Sequence, residues 1–178
     1  GTRILPSFRP DKAFQLGKGD AYRQYIRKLE ESSGTGIVDL DTLLDALSNR
    51  LYYFHRHGCR IADHGLNHLP HAKAETVSID EVFKQVLAGN DRQAMEYEEA
   101  FTLVVLSELC KLYHDKGWVQ QFHLGPLRNT NSRKLTELGS DTGYDSIGDF
   151  PQAQAMQQFF NALDRENRLA KTIVYNLN

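Results

Sequence analysis

This sequence predicts an α/β fold with a parallel sheet, and two observations carry that expectation. Apolar stretches with helical spacing alternate with short extended runs, so each strand is followed by a helix able to cross back over a sheet. Such crossovers are right-handed and make neighbouring strands parallel rather than hairpin-paired. In addition, one unit occurs twice: Phe54-His55-Arg56-His57-Gly58 leads into Cys59-Arg60-Ile61-Ala62-Asp63-His64-Gly65, and Tyr113-His114-Asp115-Lys116-Gly117 leads into Trp118 to His123. In both, six positions separate the glycine from the histidine. Two strands are therefore expected to carry an imidazole each to one edge of the sheet, where parallel sheets bind ligands.

The first strand is expected over residues 4–11, breaking at Pro10, because proline restricts the residue before it and cannot donate to a ladder. Asp20 reads as the cap of a helix with Tyr22, Tyr25, Ile26 and Leu29 at helical spacing, stopping at Ser32-Ser33-Gly34. A second helix, about 41–57, aligns Leu40, Leu43, Leu44, Leu47, Leu51 and Phe54 in one stripe, with Gly58 as its stop. Cys59 to Asp63 is the next strand. Ser78-Ile79-Asp80-Glu81 is a capping box that starts a helix ending near Gly89. A longer helix, about 92–115, is apolar enough to be nearly surrounded. Residues 72–116 thus read as a helical insertion. Trp118 to His123 is the third strand and opens a long polar loop. A helix at about 152–164, capped by Asp149 ahead of Pro151, and a fourth strand at 171–178 complete the chain.

Composition narrows the function. With 21 basic against 23 acidic residues and a net charge of -2, the chain lacks the cationic surplus that nucleic acid demands. No apolar run approaches the roughly 20 residues of a bilayer span, and the start lacks a basic-then-apolar leader, so the expectation is a cytoplasmic protein without membrane contact. Cys59 and Cys110 have no metal or redox spacing and read as buried free thiols.

The chemistry is expected where the third strand ends. His123 follows Phe122 on a core strand and must find a polar partner; His64 occupies the same place in the earlier unit. Arg9 and Arg128 suit an anionic substrate, since a guanidinium matches a carboxylate with a rigid donor fork. The bland alternative is an ion pair to Asp11 or Asp141. Asp141-Thr142-Gly143 reads as a tight turn whose carboxylate faces a sugar, while the four-residue spacing of Asp141, Asp145 and Asp149 does not fit a calcium loop. His55, His57, His68, His71 and His114 read as solvated, or as cations at helix ends.

Four blocks go beyond pattern. Leu5-Pro6-Ser7-Phe8-Arg9-Pro10-Asp11-Lys12, Gly58 to Gly65, His123-Leu124-Gly125-Pro126-Leu127-Arg128-Asn129-Thr130-Asn131, and Leu138 to Asp149 closely resemble uronate (glucuronate) isomerase, of the amidohydrolase superfamily. The resemblance implies aldose-ketose isomerisation of glucuronate to fructuronate and of galacturonate to tagaturonate, on an eight-stranded TIM-like β/α barrel with a divalent metal, zinc by expectation. Family members are more than twice this length. Residues 1–178 would then be one internal segment, a partial barrel whose four parallel strands are roughly the third to sixth. Carried over onto this chain, Arg9 and Arg128 hold the substrate carboxylate and Asp141 assists. His64 and His123 serve catalysis, with His123 at a strand position that ligates metal in related enzymes. A His-x-His pair and a final-strand Asp that complete the family's metal centre lie in segments this sequence does not contain. Two other readings stay open: a different metal-dependent hydrolase on the same barrel, and a non-catalytic domain that binds sugar acids. Exposed sheet edges would favour pairing with a second copy.

Overall fold

Two prolines decide how the chain enters its sheet. In the computed structural model, which describes residues 1–71 and 77–177, the strand expected at 4–11 shrinks to a single parallel bridge between Phe8 and Ala62. The Phe8 N–H donates to the Ile61 carbonyl at 3.1 Å and the Phe8 carbonyl accepts from the Asp63 N–H at 3.0 Å. In a parallel ladder the next donors on that strand belong to residues 6 and 10; both are proline, so pairing stops at one residue.

Two 3-10 turns, Asp11–Phe14 and Leu16–Lys18, lead into α1 (Asp20–Ser33). Gly19, not Asp20, occupies the N-cap, and the Asp20 carboxylate accepts from Arg23 at 2.7 Å. Helix α2 (Leu40–Arg56) opens on a capping box: Asp39 accepts from the Thr42 N–H at 2.9 Å while Thr42 Oγ1 accepts from the Asp39 N–H at 3.1 Å. Strand β1 (Ile61–Leu66) follows, then α3 (Ile79–Leu87), with Ser78 accepting from the Glu81 N–H at 3.4 Å, and α4 (Ala94–Asp115). Both helices fall within the stretch 72–116 read as an insertion; residues 72–76 lie outside those described.

Strand β2 (Val119–Leu124) opens the segment read as loop, which holds more order than expected. It contains β3 (Pro126–Leu127), α5 (Ser132–Leu138) and β4 (Ser146–Ile147), with β3 and β4 paired antiparallel. Helix α5 buries no residue, so it has no apolar stripe to read; its sequence signal is Asn131, whose side chain accepts from the Lys134 N–H at 3.0 Å. Helix α6 (Ala153–Arg165) has Gln152 at its N-cap with no side-chain cap bond, so the capping role assigned to Asp149 is not found. Strand β5 (Lys171–Asn176) closes the fold.

The sheet runs β1-β2-β5, all parallel, with the Phe8 bridge on the far side of β1. Three of the four expected strands form as strands. Ala62 and His64 of β1 and Gln120, Phe122 and Leu124 of β2 are buried, and Phe159 of α6 packs on Phe122 at 6.4 Å. The two cysteines are free and buried, as read. Among the described residues no helix is long and apolar enough to cross a membrane.

Both histidines stand at the carboxyl edge, as expected, but register separates them by face. His64 lies opposite Phe122, and His123 lies opposite Gly65 and Tyr175. Partners in register share a face of the sheet and successive residues alternate, so a one-residue offset puts the two imidazoles on opposite faces. Gly58 stands three residues before β1 but Gly117 only two before β2, and that difference cancels the apparent repeat.

A candidate site at the carboxyl edge of the sheet

At the edge where the strands end, a chain of charged contacts passes from one face of the sheet to the other. His64 is wholly buried, flanked by the rings of Phe14 at 5.8 Å and Phe122 at 5.5 Å. Its Nε2 lies 3.2 Å from the Tyr113 hydroxyl and its Nδ1 2.7 Å from Asp11 Oδ1. The other Asp11 oxygen accepts from the Gly65 N–H at 2.9 Å and from Arg9 Nε at 3.2 Å. One Arg9 terminal nitrogen is 3.3 Å from Asp63 Oδ2, and Asp63 Oδ1 lies 3.0 Å from His123 Nε2. Gln121 donates to that same oxygen at 2.9 Å, and the His123 ring stacks on Tyr175 at 4.5 Å.

The backbone is fitted to this chain. Gly65 carries no side chain where a Cβ would come within 2.5 Å of an Arg9 terminal nitrogen. Burial pushes the Asp11 carboxyl up, but the bonds from His64, the Gly65 amide and Arg9 outweigh it and hold Asp11 below its ordinary value. Asp11 is therefore the ionised hinge between buried imidazole and guanidinium.

A cleft of about 470 Å³ opens beside it, lined in part by Arg9, Asp11, Lys12, Arg128, Asn129 and Asp141. Three expected substrate-binding residues, Arg9, Arg128 and Asp141, thus share one cavity. Neither histidine lines it: His64 sits behind Asp11, and His123 is partly exposed on the other side of Asp63. Arg9 pairs with Asp11, one of its anticipated partners, and also with Asp63. Arg128 pairs with Asp145 rather than Asp141. Asp145 also accepts the Asn129 N–H at 2.9 Å, and this amide and then Arg128 depress its carboxyl. Asn129 and Asp141 have φ of 55° and 61°, the left-handed region that short polar side chains tolerate.

Sequence reasoning picked out the arginines, His64 and His123 and put Asp63 on the same strand edge, but gave Asp11 no role beyond an ion pair to Arg9 and did not see Tyr113, Gln121 or Tyr175 there. Asp63 was visible beside His64. The others reach the site through packing and cross-strand register, which spacing along the chain does not encode. A divalent metal at His123 has few donors within this chain. Asp63 is the acidic group paired with it among the described residues, whose His/Cys/Asp/Glu group able to surround an ion lies elsewhere. The described residues alone do not fit a complete centre there.

The glucuronate isomerase family model matches residues 1–178. The chain belongs to the glucuronate isomerase family. A uronate isomerase of Flavobacterium johnsoniae is 44% identical over all of this chain, and one of Geobacillus thermodenitrificans is 42% identical over 99% of it. The chain spans 38% and 37% of those two relatives. Among solved structures, uronate isomerase from Thermotoga maritima superposes with a TM-score of 0.85 at 28% identity, covering 98% of this chain and 38% of that one. Glucuronate isomerase from Caulobacter crescentus gives 0.82 at 25% identity, over all of this chain and 36% of that one. These two solved structures thus contain this chain's fold as one part of a longer polypeptide.

Proposed function

We propose that this chain is a segment of a cytoplasmic bacterial isomerase that converts D-glucuronate to D-fructuronate, and D-galacturonate to D-tagaturonate, in sugar-acid catabolism. The observation that carries the reading is the cleft in which Arg9 and Arg128 meet, in a chain matched along its whole length by the glucuronate isomerase family. Two guanidinium forks on one cavity suit a ligand with a carboxylate, and Asp141 on the same rim suits a sugar hydroxyl. In this reading the Phe8 bridge, β1, β2 and β5 are about the third to sixth strands of a β/α barrel, and the site occupies the carboxyl edge that barrel enzymes use.

Isomerisation moves a proton between adjacent carbons through an enediol, which requires a base, an acid and a group to polarise the carbonyl. His123 stands outside the cleft but is partly exposed and joined to it through Asp63 and Arg9, and it is the residue of this chain that we assign to carry a proton. His64 touches no solvent; it acts as a positioning residue, holding Asp11 so that Asp11 holds Arg9. A divalent metal, zinc by expectation, would supply the polarisation of the carbonyl, and His123 is the residue of this chain that would help to hold it. Its remaining ligands and the principal base belong to parts of the parent outside these residues.

One side of β5 has no partner strand among the described residues, and Ile173, Val174 and Tyr175 are exposed along it. Further strands of the parent would cover this edge; pairing with a second copy is the alternative. The test is direct. The full-length parent should interconvert glucuronate and fructuronate, and the isolated chain should not. A parent that binds neither uronate nor turns it over, or an active isolated chain, would overturn the reading.

A further inference from the structure

A cluster of side chains of the types that ligate metals lies away from the cleft. His68-Leu69-Pro70-His71 follows β1, and Glu99 stands on α4; one nitrogen of each ring and a Glu99 carboxylate oxygen all lie within 4.8 Å of one another. His71 Nδ1 is 3.0 Å and His68 Nδ1 3.7 Å from the same Glu99 oxygen. In a tetrahedral site with zinc–ligand bonds of roughly 2.0–2.1 Å, neighbouring donors are about 3.3 Å apart, so donors that lie within 4.8 Å of one another would draw together around an ion.

The loop that presents these groups is already braced. Leu69 and Pro70, between the two histidines, are buried, and Pro70 restricts the backbone of Leu69. The His71 N–H donates to Glu99 at 3.2 Å, fixing the carboxylate. His68 Nδ1 lies 2.9 Å from the Leu69 carbonyl; donation there leaves the lone pair on Nε2, and an imidazole that ligates metal through one nitrogen commonly donates the other to a carbonyl. The rings and the carboxylate are all partly exposed, so an ion can enter from solvent.

We propose that His68, His71 and Glu99 bind a divalent cation of the zinc class, with water in the fourth position, and that the ion staples the loop after β1 to α4. Two imidazoles and one carboxylate favour zinc or cobalt over magnesium and calcium, which take oxygen ligands. None of the three residues lines the cleft of Arg9 and Arg128 and none is a partner of His123, which pairs with Asp63 and Tyr175, so the cation is additional to any catalytic metal of the parent. The competing description is a simple charge pair between His71 and Glu99, which would need no ion.

The experiment uses the full-length parent, stripped of metal and titrated with Co²⁺ and then Zn²⁺, read by visible absorption and by metal content after gel filtration. The wild type should take up one equivalent more than the double variant His68→Ala/His71→Ala. Glu99→Gln should weaken that equivalent at least about 10-fold, the effect that even an outer-shell change produces. Zn²⁺ should raise the unfolding temperature of the wild type more than that of the variants, and Mg²⁺ should not compete. If the double variant does not fold, His68→Gln alone, with an unchanged circular dichroism spectrum, serves in its place. Equal stoichiometry and affinity in the wild type and a folded variant would overturn the proposal and leave the charge pair.

Discussion

Asp63 backs His123: its Oδ1 lies 3.0 Å from His123 Nε2 and also receives the Gln121 side-chain amide at 2.9 Å. The carboxylate therefore fixes which ring nitrogen faces inward and which is left for a reacting group. In the full-length enzyme, Asp63→Asn keeps the shape but removes the charge. It should lower kcat by about 100-fold or more, the lower end of what a positioned acid or base contributes, and change KM less. Steady-state kinetics on glucuronate decide this; unchanged kcat would remove the Asp63–His123 pair from the mechanism.

The carboxylate clamp makes a different prediction. Arg9 and Arg128 each line the cleft while held by an aspartate, Arg9 by Asp11 and Asp63 and Arg128 by Asp145. Lysine keeps the charge and loses the fork. Either Arg→Lys change should weaken substrate binding by roughly 1.5–3 kcal/mol, the range for a hydrogen bond to a charged group. The defect should appear in KM. An Arg128→Lys enzyme with unaltered KM would sink the clamp.

Asp11 ties acid stability to the same network. Burial alone would raise its carboxyl, and the bonds from His64, Gly65 and Arg9 bring it below its ordinary 3.8. A depressed carboxylate stabilises the fold above about pH 4 and loses that contribution as pH falls through the lowered native value. Asp11→Asn should therefore destabilise the protein at pH 7 and much less near pH 3. Urea midpoints at the two pH values measure this, and an equal loss at both would show that Asp11 contributes by shape and not by charge.

How much of this could be read from the chain varies by element. The longer helices and three of the strands were legible; in the helices one periodicity spans many residues, and Leu43, Leu47 and Leu51 mark α2 unambiguously. The first strand misled because apolar Ile4, Leu5 and Phe8 resemble a strand, while Pro6 and Pro10 limit it to one paired residue. Helix α5 was hidden because it buries nothing. The glycine-to-histidine spacing of six residues was real, but the faces of His64 and His123 depend on cross-strand register, which is set by packing far from either residue. Arg9, Arg128 and Asp141 were found because guanidinium forks and a tight-turn carboxylate suit a sugar acid, whereas Asp11, although it lies in the same block as Arg9, enters through a bond to His64 that spans 53 positions.

His55, read as solvated, instead accepts a hydrogen bond at Nδ1 from the indole N–H of Trp118 at 2.9 Å, with the two rings stacked at 6.0 Å. That bond requires a lone pair on Nδ1, so it exists only while the imidazole is neutral. Burial, and then the nearby charges of Arg60 and Lys116, push His55 below its ordinary 6.5. The unfolded chain then binds this proton more readily than the folded one, and stability is full above about pH 6.5 and declines as pH falls below it. Protonation should break the bond and change the environment of Trp118, the chain's one tryptophan. The difference in tryptophan fluorescence between wild type and His55→Phe should accordingly show a transition below pH 6.5. The same transition persisting in His55→Phe, or no transition in the wild type, would mean that His55 does not govern the indole.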